Sequence, residues 1–170
     1  MADVISAKIE GLDSLLGKLE NLTYQTKKKG GRSALRKAAA YIRDIAKSNA
    51  SRIDDPTTAE DISRNIVERW SGKLNKRTGN LGFRIGVLGG ARDYSASGEI
   101  KTGKSASLNP GGDTFYWRFI EFGREGVAAR PFMRPALSEH TNDATDVFVQ
   151  AYEKVIDRAI KTAKKKGTVI

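Results

Sequence analysis

The sequence predicts an α+β fold: a small, mostly antiparallel sheet of three to four strands, packed by a long helix before it and a long C-terminal helix, with a long flexible loop. Three observations predict it. Apolar residues recur at spacings of three and four over about 33–52 and again over about 135–164, the period that gathers one apolar helix face. Short β-branched and aromatic runs lie between those stretches, at 62–70, 81–89 and 114–123. Glycine and asparagine turns separate them, as between hairpin strands. The chain of 170 residues is long enough for one domain with a real core. It carries no internal repeat and no linker, so residues 1–170 read as a single α+β domain.

The first element is a short strand at 4–9, where Ile5, Ala7 and Ile9 fall on one side. Leu12, Leu15, Leu16, Leu19 and Leu22 then form a narrow stripe, an amphipathic helix over about 12–22. The run KKKGGR at 27–32 breaks the pattern, and Ser33 can cap a new helix. Leu35, Ala38, Ile42, Ile45, Ala46 and Asn49 trace one face of that helix, over about 33–52. Its alanines let neighbouring elements come close. Its other face, Arg36, Lys37, Arg43 and Lys47, is a basic stripe. Pro56 cannot continue the helix and ends it.

Residues 62–70, ISRNIVERW, are β-branched and extended, with mixed faces. Residues 81–89 alternate better: Phe83, Ile85 and Val87 lie on one side, Arg84 and Gly86 on the other. The two runs read as neighbouring antiparallel strands joined by a basic, glycine-containing loop. From 89 to 113 the chain is rich in glycine and serine with almost no apolar residue. A loop of that length in a compact domain is functional or mobile. Residues 114–123 hold Phe115, Tyr116, Trp117, Phe119 and Phe122. They read as a strand packed on both faces or against a partner, with a short helix as the alternative. Pro131 and Pro135 force extended geometry on the residues before them, and Pro135 also suits a helix start. The last helix, about 135–164, gathers Leu137, Ala144, Val147, Phe148, Ala151, Val155, Ala159, Ile160 and Ala163. It ends in KKK, which favours the negative end of the helix dipole, and residues 165–170 read as a frayed tail.

Composition narrows the function classes. The formal charge is +10 and the isoelectric point about 9.9. That balance favours an acidic partner: nucleic acid, a membrane surface or an acidic protein face. With no cysteine, disulfides, thiolate metal sites and cysteine nucleophiles are excluded. The lone histidine, His140, cannot build a multi-histidine zinc site and reads as a solvated helix residue. No segment has transmembrane or signal-peptide character, so a cytoplasm-like compartment is expected. No cofactor is expected.

Two catalytic patterns fail on context. GEIKTGKS at 98–105 matches G-x-x-x-x-G-K-[ST], whose glycines wrap a phosphate while the lysine and hydroxyl serve phosphate and magnesium. That loop requires a buried strand before it and a helix after it. Here ARDYSAS precedes and ASLNPGGD comes after, which supply neither. Asp93 with Glu99 and Lys101 imitates a metal-dependent nuclease set, but a serine- and glycine-rich segment cannot hold carboxylates rigidly on a metal. The chain is expected to be no enzyme.

The stretch FYWRFIEFGREGVAARPFMRPAL, 115–137, is more specific. Gly123 permits a sharp turn. Phe132 and Met133, between two prolines, read as anchors of a crossover. Glu121 lies among apolar residues and needs a partner, for which Arg130 and Arg134 are candidates. Glu-Phe-Gly, a short polar loop and Ala-Arg-Pro-Phe-x-Arg-Pro-Ala leading into a helix resemble the neck or tail-completion (minor tail, head–tail joining) family of long-tailed double-stranded DNA bacteriophages. The opening KIEGLDSLLGKLENL, a strand running into a Gly-Leu-Asp helix start, is similar to that family's beginning. The chain departs from it at GREGVAARPF, where members more often carry a Gly-Thr loop.

The resemblance implies a non-enzymatic virion structural protein of the head–tail junction, assembled in the host cytoplasm. It implies a homo-oligomeric ring, hexamer favoured, that joins tail to head, with other connector and tail proteins as partners. Glu121, Phe122, Gly123, Arg130, Pro131, Phe132 and Arg134 are the structural or interface candidates. Arg36, Lys37, Arg43, Lys47, Lys101 and Lys104 are expected to face an acidic neighbour or a channel where they meet DNA without reading its sequence. No membrane partner is implied. The alternative reading is a basic nucleic-acid-binding protein without enzymatic activity. Aromatics clustered in a core rather than interleaved with arginine on an exposed sheet speak against it.

Overall fold

The computed structural model describes residues 24–53, 61–88 and 109–165. The strand expected at 4–9, the helix at 12–22, the P-loop-like run at 98–105 and the tail from 166 lie outside them.

The first described helix, α1, runs from Tyr24 to Ser51. It starts before Ser33 and passes straight through Gly30 and Gly31, where a break is expected from the sequence. Glycine costs a helix interior about 1 kcal/mol relative to alanine. Tertiary packing offsets that cost. A β-carbon on Gly30 would stand 2.8 Å from Val155 Cγ1 and 3.1 Å from Tyr152 Cε2. The bare backbone is what lets the Tyr152 ring settle there, and its hydroxyl donates to the Lys27 carbonyl at 2.9 Å.

The remaining elements are α2 (Ile62–Asn65), β1 (Ile66–Trp70), α3 (Gly72–Thr78), β2 (Phe83–Val87), α4 (Trp117–Phe122), α5 (Met133–Ser138) and α6 (Thr141–Lys165). Among the described residues the sheet has two strands, β1 and β2, not three or four. Among the described residues one expected strand is shortened and another is replaced by a helix, each for a cause. Residues 62–65 coil because Asp61 caps them: its carboxylate accepts from the Arg64 N–H at 3.2 Å and the Ser63 hydroxyl at 2.6 Å. Residues 117–122 are helical, the alternative reading, because Trp117, Ile120 and Glu121 turn inward at helical spacing while Arg118, Phe119 and Phe122 face out. The basic loop between the strands is itself a short helix, α3.

Leu88 donates its N–H to the Asn65 carbonyl at 2.8 Å, and Ser71 to that of Gly82 at 2.9 Å. These bonds set an antiparallel register in which Ile66 opposes Val87, Arg69 opposes Arg84 and Trp70 opposes Phe83. The Trp70 and Phe83 rings meet edge-on at 5.4 Å, as that register requires.

The C-terminal helix is two helices. The chain bends at Glu139–His140, so His140 sits in the bend, half-buried, rather than on a helix. The two helices serve different cores. Ala136 of α5 is buried with Ala46, Ala50, Ile62, Ile66 and Phe132. Ala151, Tyr152 and Ile156 of α6 are buried with Ala34. Leu137, expected on the apolar stripe, is exposed, and Ser33 lies inside α1 rather than capping it. Pro135 falls in the first turn of α5, where its missing N–H costs nothing.

Two compact units result from these contacts: Met1–Tyr41 with Trp70–Phe83 and Thr141–Ile170, and Ile42–Arg69 with Arg84–His140. In the first, Arg32 stacks on the Trp70 ring at 4.2 Å. The Tyr41 hydroxyl donates to Asp143 at 3.2 Å. In the second, fully buried Asn65 fixes the end of the long loop. Its amide donates to the Gly112 carbonyl at 2.9 Å and to Thr114 Oγ1 at 2.8 Å, and its oxygen accepts from the Gly111 N–H at 2.8 Å. Residues 109–113 are therefore pinned, while 89–108 lie outside the described residues. No helix among the described residues is long and apolar enough to cross a membrane.

Gly30→Leu would drive a branched side chain into Val155 and Tyr152. Urea unfolding should show a loss of roughly 1–3 kcal/mol. Asp61 gives a pH signature. Burial raises its carboxyl, but hydrogen bonds from Ser63 and Arg64 and the Arg64 charge outweigh that and hold it below the usual value. Its stabilisation is therefore complete above the unfolded-state value of about 3.9 and is lost as pH falls through the lower folded-state value. The stability gap between wild type and Asp61→Asn should be constant at neutral pH and move only below about pH 4.

Candidate functional site

The segment from Thr114 to Arg134 assembles around one carboxylate. Buried Thr114 starts it, and the Trp117 N–H bonds back to its carbonyl at 3.1 Å. One and a half turns later, α4 ends at Gly123, at φ 77° and ψ 175°. That region of backbone space is open to glycine and strained for any other residue. A β-carbon at Gly123 would also stand 3.0 Å from both the Val127 carbonyl oxygen and the Ala129 nitrogen. Arg124 and Val127 then close a tight loop by exchanging backbone bonds at 3.1 and 2.9 Å. The Arg130 N–H returns to the Ile120 carbonyl at 2.8 Å and lays the crossover against α4.

Glu121 holds the end of this crossover. Its carboxylate is buried and accepts from the backbone N–H groups of Phe132, Met133 and Arg134 at 2.7, 2.9 and 3.0 Å. Those are donors of the first turn of α5, which no carbonyl within that helix can satisfy. The carboxylate also meets the positive end of the helix dipole. The Arg134 side chain completes the set, its Nε 3.3 Å from the carboxylate and its Nη2 2.6 Å from the Glu121 carbonyl. Arg134, not Arg130, is thus the ion-pair partner of Glu121; Arg130 contributes its backbone. Phe132, next to the capped N–H, is fully buried in the core, as its place between the prolines predicts. Phe122 is 62% exposed, with the Arg134 guanidinium 5.2 Å from its ring centre. Pro131 is exposed.

The outward side of the same segment is a cleft of about 510 Å³. Phe115, Tyr116, Phe119 and Val127 are among its apolar lining residues, and Arg124 and Arg130 also border it. Phe119 is 37% and Val127 48% exposed, so rings and methyls that could be buried are left in water. An apolar hollow bordered by cations suits a partner surface. Among the described residues no group of three or more His, Asp or Glu side chains could hold a metal ion.

The basic stripe divides. Arg36 and Lys37 are exposed and Lys47 half-buried. Arg43 bonds to Asp44 and to the largely buried Glu68. Burial opposes its charge, but these two carboxylates outweigh that and raise its pKa further. Arg43 is a structural cation, its charge paired with carboxylates of the chain itself. Lys101 and Lys104 lie outside the described residues. Asn65 and the exposed pair Phe119 and Val127 were not singled out from the sequence. An asparagine in an apolar run is a weak signal, and Phe119 reads as core until its helix is known.

Comparison with known protein families matches residues 13–123 to the HK97-gp10-like family, described as "Bacteriophage HK97-gp10, putative tail-component". The match takes in Glu-Phe-Gly at 121–123 and stops before Ala-Arg-Pro-Phe. No curated protein and no solved structure matches.

Glu121→Gln should cost about 2–4 kcal/mol in denaturant unfolding, since an amide turns donors toward backbone donors in a buried site. Arg134→Gln should cost under about 1 kcal/mol, because that side chain is 58% exposed. Equal costs would mean that the ion pair, rather than the helix cap, holds the crossover.

Proposed function

The chain belongs to the HK97-gp10-like family of bacteriophage tail components, and from that premise we propose a non-enzymatic structural role at the phage head–tail junction. The protein is a neck or tail-completion subunit that closes into a ring, a hexamer in the favoured case, and joins tail to head. The observation that carries this reading is the cleft bordered by Phe119 and Val127. It is an exposed apolar surface on the segment that the Glu121 cap holds in place.

A ring needs a heterologous interface, one surface of a subunit fitting a different surface of the next. The cleft is one of the two surfaces. Connector and tail proteins are the neighbours above and below. Arg36, Lys37 and Lys47, with Lys101 and Lys104, face the channel or an acidic neighbour and tolerate DNA phosphates without reading sequence. Arg43 drops out of that set because Glu68 and Asp44 neutralise it.

Phage production without this protein should leave DNA-filled heads and finished tails unjoined in electron micrographs. Val127→Asp, an exposed change, should keep the helical circular dichroism of the wild type and still fail to restore joining. Complete particles in the absence of the protein would overturn the proposal. A monomer that binds duplex DNA tightly and in a salt-dependent way, with joining unaffected, would favour the nucleic-acid-binding alternative instead.

A further inference from the structure

The outer face of the hairpin presents two arginines directly opposite each other. The register set by the Leu88–Asn65 and Ser71–Gly82 bonds pairs Arg69 with Arg84. Side chains alternate along a strand. Ile66, Glu68, Ile85 and Val87 therefore share one face, and Val67, Arg69, Arg84 and Gly86 the other. The first face is the core side, where Ile66 is buried and Ile85 and Val87 pack against it. The second borders a hollow of about 390 Å³, reached by Val67, Leu88 and both arginines.

Both are exposed, and like charges set directly across a sheet destabilise the pairing, so a counter-charge would stabilise this placement. The strands do not supply one. Their single carboxylate, Glu68, is on the opposite face and is bonded to Arg43. Neither Arg69 nor Arg84 makes an ion pair or a side-chain hydrogen bond among the described residues. Gly86 beside them leaves open space where a side chain would stand. The hollow thus has two guanidinium groups with no counter-charge among the described residues, a bare backbone floor and half-buried apolar walls in Val67 and Leu88.

We propose that this face is a docking site for an acidic, extended segment of another protein, a carboxylate bridging Arg69 and Arg84 and a neighbouring apolar side chain resting over Gly86 against Val67 and Leu88. Arginine matches a carboxylate in bidentate geometry. The apolar walls favour a protein segment over a DNA backbone, which offers phosphates and sugars and nothing to fill an apolar recess. The site involves neither the Phe119–Val127 cleft nor ring closure, so it stands or falls separately from them.

The test uses the full chain and a labelled peptide of alternating glutamate and valine, monitored by fluorescence anisotropy. The wild type should bind it. A glutamine–valine counterpart should bind roughly tenfold more weakly or worse, and so should the glutamate peptide to Arg69→Gln/Arg84→Gln. Urea unfolding of that double variant should show stability equal to or above wild type, since the cross-strand repulsion is gone. No binding to the wild type, or equal binding to wild type and variant, would overturn the proposal. So would a variant less stable than wild type, which would make the arginines structural. A variant that loses affinity for a short DNA duplex but keeps the peptide would assign the pair to phosphate. A changed sedimentation coefficient would assign the face to a second copy of the chain.

Discussion

A buried carboxylate survives in an apolar setting only when its lone pairs are filled, and Glu121 fills them from a helix end. Three backbone donors of α5 and the Arg134 side chain converge on its oxygens. The geometry works in both directions. The helix end gains an acceptor that its own sequence lacks, because the N-cap position is Phe132, whose side chain has no polar atom to offer. The carboxylate gains three backbone donors that α4 itself does not supply. With both ends fixed, the loop from Gly123 to Pro131 has little freedom, and Phe132 is delivered to the core beside Ile62 and Ile66.

The consequences reach the surface. Once Ile120 and Glu121 face inward, helical geometry turns Phe119 and Phe122 outward. One ring borders the cleft and the other lies against Arg134. An exposed apolar surface on a rigid support is suited to recognition. The hairpin shows a similar division of labour. Glu68 is matched by Arg43 on the core side, so the remaining strand charges, Arg69 and Arg84, are both on the outside and both positive.

Much of this was legible from residue order. The helical stripes of α1 and α6 stand out because apolar residues repeat at helical spacing over many turns. The strand cores at Ile66–Trp70 and Phe83–Val87 show as β-branched and aromatic runs, and Glu121 shows as a charge in the wrong company. The continuation of α1 through Gly30 and Gly31 was not legible. Local propensity argues for a break there, and what argues against it is packing from distant residues, Tyr152 and Val155 of α6 among them. The helical state of 117–122 was ambiguous because six residues hold fewer than two turns of periodicity. The bend at Glu139–His140 was hidden because the apolar stripe continues across it, although its two halves serve different cores.

Sequence by itself determined the elements that depend on near neighbours: two long amphipathic helices, a hairpin, and a Glu-Phe-Gly motif that points to a phage tail family. Tertiary structure decided everything that depends on which distant groups meet. It chose Arg134 over Arg130 as the partner of Glu121, put Asn65 on the 109–114 turn, paired Arg43 with Glu68 and Asp44 and set Arg69 across from Arg84. The division has a physical reason. Periodicity and turn chemistry act over a few residues and are written along the chain, whereas the satisfaction of a buried polar group is a matter of three-dimensional coincidence.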